Sequence, residues 1–154
     1  MPKIKTLKVR EFRGIRDTSL ELGGKSLLLL GENGTGKSSF IDALEFFYTG
    51  SVSHLEGAQG ISTARHAPHI RANQDNVAVT VEFDQPHAEI TRTLKDISNI
   101  PPELLDHYNL GASAKFILRR KNLLDFILSQ PASRYEQLAA IVGVSELDSV
   151  ERAF

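Results

Sequence analysis

Apolar and polar residues alternate from the start of the chain. Leu7 and Val9 fall on one side and Lys8 and Arg10 on the other, which predicts a strand from Ile4 to Phe12. Arg13-Gly14-Ile15-Arg16-Asp17 reads as a turn, Thr18 to Leu22 as a second strand, and Gly23-Gly24-Lys25 as a tight turn. Ser26 to Leu30 breaks the alternation with a continuous apolar run, the pattern of a strand buried on both faces. A glycine-rich stretch, Gly31 to Gly36, then leads into a helical pattern. Phe40, Ile41, Leu44, Phe47 and Tyr48 form its apolar stripe, and Gly50 suits its left-handed end.

Residues 51–76 carry no clear period and read as a long loop with room for one short element. Val77, Val79, Val81 and Phe83 alternate with polar or small residues. With the turn Asp84-Gln85-Pro86 and the partner segment Ala88 to Leu94, they predict a hairpin. Pro101-Pro102 opens a short helix through about His107. Phe116 to Leu118 is a short apolar segment, and Leu123 to Leu128 reads as helix. Pro131-Ala132-Ser133 ends that element and starts another, which carries Tyr135, Leu138, Ala139 and Val142. Ser145 suits the N-cap of a last helix. The pattern as a whole is α/β: a mixed sheet, a β-hairpin and flanking helices.

Composition narrows the class. The 154 residues suit one domain, and a net charge of -1 gives no support to a strongly basic nucleic-acid binder. The charge is uneven, because four of the last six basic residues are Lys115, Arg119, Arg120 and Lys121. The absence of cysteine excludes a disulfide framework, a cysteine-based zinc site and a thiol nucleophile, and fits a reducing, cytoplasmic setting. Apolar runs such as Leu27 to Leu30 are far too short to cross a membrane, and the N-terminus lacks the apolar stretch of a secretion signal.

The chemistry concentrates in Gly31-Glu32-Asn33-Gly34-Thr35-Gly36-Lys37-Ser38, which fits G-x-x-x-x-G-K-[ST], the phosphate-binding P-loop. Its expected context, a buried strand before it and an amphipathic helix after it, is the one the motif requires. Glycines let backbone N–H groups approach phosphate oxygens, and the helix N-terminus adds aligned donors. Lys37 is the candidate catalytic residue, neutralising the β- and γ-phosphates. The Ser38 hydroxyl is placed to ligate Mg²⁺. The expected ligand is ATP with Mg²⁺, held along Gly31–Ser39, so that Ser39 joins the set. GTPase base-reading and switch motifs are absent from the sequence. A small-molecule kinase using Arg119-Arg120 as a lid, or a non-catalytic nucleotide-binding dimerisation module, stay open as alternatives.

Ile4-Lys5-Thr6-Leu7-Lys8-Val9-Arg10-Glu11-Phe12-Arg13-Gly14 resembles the opening of the SMC-like ABC ATPase heads, a group that includes structural-maintenance-of-chromosomes proteins, RecF, RecN and SbcC. Glu11 stands where that family commonly has Asn. The P-loop followed by Ser39-Phe40-Ile41-Asp42-Ala43-Leu44 resembles the family's "GxNGxGKS" and its "DA(I/L)" turn. Val77 to Leu94 resembles its hairpin, and Asp125 to Gly143 the segment leading toward its coiled coil. The resemblance implies an N-terminal P-loop lobe spanning residues 1–154, with residues 112–154 leading toward a coiled coil. A C-terminal lobe of the same protein would bring the Walker B carboxylates and the signature motif, neither of which stands in this sequence. Hydrolysis would then need that lobe and a homodimer of heads, and this chain alone would not turn ATP over. Implied partners are DNA, through the full assembly, and a nuclease subunit. The implied processes are DNA repair, chromosome handling or phage defence.

The resemblance also implies that Arg13 reaches the nucleotide phosphates, against the plain reading of a solvated turn arginine. The stretch matching the family's Q-loop, Phe116 to Asn122, contains no Gln. Lys115, Arg119, Arg120 and Lys121 are candidate DNA contacts through phosphates, against a solvated basic edge. Lys3, Lys5, Lys8 and Arg10 form a second such face. His66 and His69, three apart, lack neighbouring ligands and give little case for a metal. Asp42 and Glu45 read as a polar helix face, and Phe46, Phe47 and Tyr48 as core.

Overall fold

The computed structural model describes residues 2–56, 60–113 and 116–134. Strands β1 (Ile4–Phe12), β2 (Ile15–Glu21), β3 (Ala78–Phe83) and β4 (Ala88–Arg92) form one antiparallel sheet in the order β2-β1-β3-β4. Helix α1 (Lys37–Thr49) packs on it. The first turn is tighter than the sequence predicts, and β2 begins at Ile15 rather than Thr18.

The alternation in β1 and β3 sets the core. Leu7 pairs with Val81 and Val9 with Val79, and all four are buried. The register between β1 and β3 shifts between Ile4 and Thr6. That irregularity turns Lys5 out of the apolar parity it shares with Leu7 and Val9 and pairs it with Glu82 at 2.8 Å. Lys8 pairs with Glu89 at 2.6 Å, and the Thr80 and Thr91 hydroxyls meet at 2.8 Å. Lys5 and Lys8 therefore serve cross-strand ion pairs rather than an open basic face.

On α1 the buried apolar residues are Ala43, Phe46, Phe47 and Tyr48, joined by Asp42 and Glu45. Phe40 and Leu44 pack at the margin of the core, whereas Ile41 is exposed. The face turned to the sheet is thus rotated from the predicted stripe, and Asp42 and Glu45 are not an outward polar face. Phe46 stacks on Phe12 with ring centroids 5.2 Å apart, and Phe47 lies 6.5 Å from Phe83. These two contacts clamp the helix across β1 and β3. Gly50 ends α1 in the left-handed conformation (φ 75°), as predicted, and its amide donates to the Phe46 carbonyl.

The run Ser26 to Leu30 forms no strand among the described residues, against the expectation of one buried on both faces. Leu28 is 78% exposed and Leu30 83% exposed. A buried strand needs a neighbour on each edge and cover on each face, and no described segment supplies them. The described part of 51–76 carries more than the one short element expected. It holds single turns at Ser53–Leu55 and Gln74–Asn76 and a short helix α2 (Thr63–His66), anchored by buried Val52, Leu55, Thr63 and Ala67.

Helix α3 (Pro102–Ser113) runs well past His107 because its inner face continues: Leu104 and Tyr108 are buried, and Gly111 follows one turn on. The Tyr108 hydroxyl donates to the Tyr48 carbonyl at 2.9 Å. Arg92 Nε donates to the Phe47 carbonyl at 2.7 Å, and its Nη2 donates to the Tyr108 hydroxyl. A cation thus caps the carbonyl end of α1, where the helix dipole favours it.

The chain divides into a unit at 1–112 and a second at 113–154. In the second, α4 (Arg120–Leu128) begins three residues earlier than predicted. Arg134 caps its end by donating from Nε to Ser129 O at 2.9 Å and from Nη2 to Ile127 O at 3.0 Å. The helices expected around Tyr135 to Val142 and after Ser145 lie outside the described residues.

A Cβ at Gly111 would collide with the Tyr48 ring. Gly111→Ala should lower unfolding free energy by about 1–3 kcal/mol through overpacking, despite its better helix propensity. Urea denaturation checks this. Unchanged or raised stability would show that α3 does not dock tightly on the end of α1.

Candidate nucleotide-binding site

The loop from Gly31 to Gly36 links the exposed leucine run to α1. Gly34 (φ 87°) and Gly36 (φ 89°) hold left-handed conformations that a side chain would strain, and Gly36 is the N-cap of α1. The loop is closed from within. The Thr35 hydroxyl donates to the Glu32 carbonyl at 2.9 Å, and Lys37 Nζ donates to the Gly31 carbonyl at 2.7 Å and to the Glu32 carbonyl at 2.5 Å. The ammonium is therefore folded across the loop that its own helix begins. Gly31 to Thr35, Asn33 included, are exposed, as is Ser38 at the second position of α1. The donor set fits a phosphate chain and a hard cation: one ammonium, one accessible hydroxyl and the first turn of a thirteen-residue helix.

Ser39 is buried and faces the first turn of the sheet, its hydroxyl 3.4 Å from the Gly14 amide. Arg13, in the left-handed region (φ 53°), sits beside it. Its amide donates to the Ala67 carbonyl at 2.6 Å, and its Nη1 donates to the His66 carbonyl at 3.1 Å. Its Nε lies 3.3 Å from Asp42 Oδ2, a carboxylate only 2% exposed. The structure thus brings Arg13, Ser39 and the loop's helix together.

Sequence reasoning missed the residues behind Arg13. Asp42, Glu45 and His54 place ligand-type atoms within 4.8 Å of one another. The cation there is Arg13 itself, and Glu45 Oε1 accepts from the Ser53 amide at 3.0 Å, so the cluster binds a guanidinium and a loop rather than a metal. A carboxylate one helical turn, four residues, before the Phe46–Phe47 pair was the available signal. His66 and His69 bind no common centre. His66 Nδ1 lies 3.2 Å from the Ser62 carbonyl, and His69 Nδ1 accepts from the Arg71 amide at 3.3 Å. Of the candidate DNA contacts, Lys115 lies outside the described residues, Arg119 immediately precedes α4, and Arg120 and Lys121 begin it.

On the far side of the loop, Lys37 and Ser38 share a shallow recess of about 290 Å³ with Leu27, Leu29 and Ile41. The outward Ile41 and the leucine run therefore make one apolar surface next to the site.

Comparison with known proteins identifies the family and the fold. An AAA domain family model matches residues 6–149, and the chain belongs to that family. The DNA replication and repair protein RecF of Rickettsia bellii is 28% identical over 96 residues, covering 61% of this chain and 24% of the relative. The DNA double-strand break repair Rad50 ATPase of Thermoplasma volcanium is 22% identical over 164 residues, covering 95% of this chain and 18% of the relative. This chain thus spans a quarter or less of these relatives' length. A structure solved in work on ATP-driven dimerization and DNA-stimulated activation of SMC ATPases superposes with a TM-score of 0.61 at 15% identity, covering 90% of this chain and 99% of the other. The chain is thus an AAA domain whose fold is that of an SMC ATPase head, a P-loop NTPase fold.

Two glycines separate backbone need from mere space. Gly36→Ala should lower unfolding free energy by about 1–2 kcal/mol, the cost of a side chain in the left-handed region. Gly14→Ala, where a Cβ would sit 3.5 Å from Ser39 Oγ in ordinary contact, should change it by less than about 0.5 kcal/mol. Equal losses in parallel denaturation curves would contradict this account of the loop.

Proposed function

We propose that this chain is the ATP-binding lobe of an SMC-like ATPase that acts on DNA. The observation that carries the reading is the glycine-turned loop at the start of α1, with the Lys37 ammonium held over the Gly31 and Glu32 carbonyls. Phosphate oxygens would replace those carbonyls as the partners of Lys37, while the N-terminal amides of α1 donate to the same anion. Ser38 would supply a hydroxyl ligand to Mg²⁺, and Arg13 a second cation beside Ser39. Bound Mg²⁺ would supply charge neutralisation along the phosphate chain.

Asp42 and Glu45, the acids on the helix that the loop opens, are engaged by Arg13 and by the Ser53 amide rather than turned toward an attacking water. Hydrolysis in this reading belongs to a C-terminal lobe of the same protein and to a second head. The exposed Leu27, Leu28, Leu30 and Ile41 support that division, because an apolar surface beside a site is where a further structural layer packs. ATP then joins two heads, and the work is done on DNA in repair, chromosome handling or defence, in the cytoplasm and with a nuclease as a fitting partner. Lys115, Arg119, Arg120 and Lys121 are the proposed phosphate-backbone contacts. The RecF and Rad50 relatives, both DNA repair proteins by name, support this direction. Among the described residues no helix is long and apolar enough to cross a membrane.

Lys37→Ala should reduce Mg·ATP affinity at least a hundredfold, measured by calorimetry on the purified chain, since it removes the loop's cation from a charge-assisted contact. Wild-type affinity in that variant would refute the site. The wild-type chain should bind ATP without turning it over, and sustained phosphate release from it would refute the division of labour between lobes.

A further inference from the structure

Asp42 is a charged group that the phosphate-loop reading leaves without a task. It lies four residues beyond Ser38 on α1, so the two occupy neighbouring turns of one helical face. Its side chain is almost wholly buried, and a buried carboxylate is stable there only with a countercharge and hydrogen bonds. Arg13 Nε supplies that countercharge at 3.3 Å, and His54 Nε2 stands 3.7 Å from the same oxygen.

The guanidinium is held on several sides. Nη1 donates to the His66 carbonyl, and Nη2 lies 3.4 Å from His54 Nε2. A guanidinium has five N–H groups in a rigid fork, so fixing the Nε edge fixes the direction of the Nη groups. The backbone next to Arg13 meets the start of α1. The residue after Arg13 is Gly14, whose Cβ position would lie 3.5 Å from Ser39 Oγ and 4.0 Å from the Gly36 Cα.

We infer that Asp42 is a positioning residue: it holds Arg13 against the first turns of α1, so that the arginine and the Lys37–Ser38 pair approach one phosphate chain in fixed relation. This rests on the reading above that Arg13 meets phosphate. Asp42 touches no nucleotide atom in this scheme and acts only through Arg13.

Calorimetric titration of Mg·ATP into the 154-residue chain and its variants tests the inference. Arg13→Ala should weaken binding about tenfold, the loss of a charge-assisted contact. Asp42→Asn, which keeps the shape and removes the charge, should weaken it by a similar factor, and the double variant should be no worse than either single one. A merely structural role would lower the binding stoichiometry, as the folded fraction falls, and leave Kd unchanged. Asp42→Asn with wild-type Kd, or losses that multiply in the double variant, would overturn the inference while leaving the phosphate contact of Arg13 intact. Should Arg13→Ala itself bind normally, that contact fails and the inference falls with it, whereas Lys37→Ala still reports on the loop separately. If Asp42→Asn does not fold, Arg13→Lys keeps a partner for Asp42 but removes the fork. A tenfold weaker Kd with unchanged melting supports the positioned fork, and wild-type Kd overturns it.

Discussion

Phe46 and Phe47 fix helix α1 on the sheet, and the direction of that helix sets where the loop from Gly31 to Gly36 opens. Phe46 stacks on Phe12 at the end of β1, and Phe47 reaches Phe83 on β3, so two adjacent side chains span the central strand pair. Burying two such rings contributes about 3–6 kcal/mol by area, before any gain from ring geometry. The carbonyl end of the helix is held in turn by Arg92 and Tyr108. Its C-terminal turns are clamped and capped there, while Ser39 and Asp42 tie its first turns to Gly14 and Arg13, so the N-terminus at Gly36 and Lys37 is held in place. That rigidity matters because an anion site made of backbone amides works only if the amides are already aligned when the anion arrives.

The same clamp explains why charge is buried beneath the loop. Turning Phe46 and Phe47 inward also turns Asp42 and Glu45 toward the sheet side of the helix. Each acid then needs a partner from elsewhere in the chain. Asp42 takes Arg13 from the turn after β1, and Glu45 takes the Ser53 amide from the segment after α1. These two links tie the first sheet turn and the start of the 51–76 segment to one helix, and they order a stretch that carries few apolar anchors of its own.

This distribution of partners marks what the sequence discloses. The alternation in β1 and β3, the hairpin, the glycine-turned loop before α1 and the Gly50 cap rest on neighbouring residues and were legible. The buried face of α1 was not, because Phe40, Ile41 and Leu44 also make a plausible stripe. Only the partners Arg13 and Ser53, distant in sequence, make Asp42 and Glu45 stable inside. The parity of Lys5 was hidden for a similar reason, since the irregularity between Ile4 and Thr6 depends on the pairing with β3. Ser26 to Leu30 has a true strand composition, yet strand formation needs neighbours that its own residues cannot supply. Its exposed leucines and Ile41 together explain why both apolar patterns overstated burial within the described residues.

The central claim is that the loop from Gly31 to Ser38, presented by α1, is where this protein takes up a nucleotide phosphate chain. Amide chemical-shift mapping of the labelled chain during titration with Mg·ATP tests it most directly. The account predicts the largest changes at Gly34, Gly36, Lys37 and Ser38, saturating with added nucleotide. Little change in those amides at saturating nucleotide, or shifts centred elsewhere on the sheet, would contradict it.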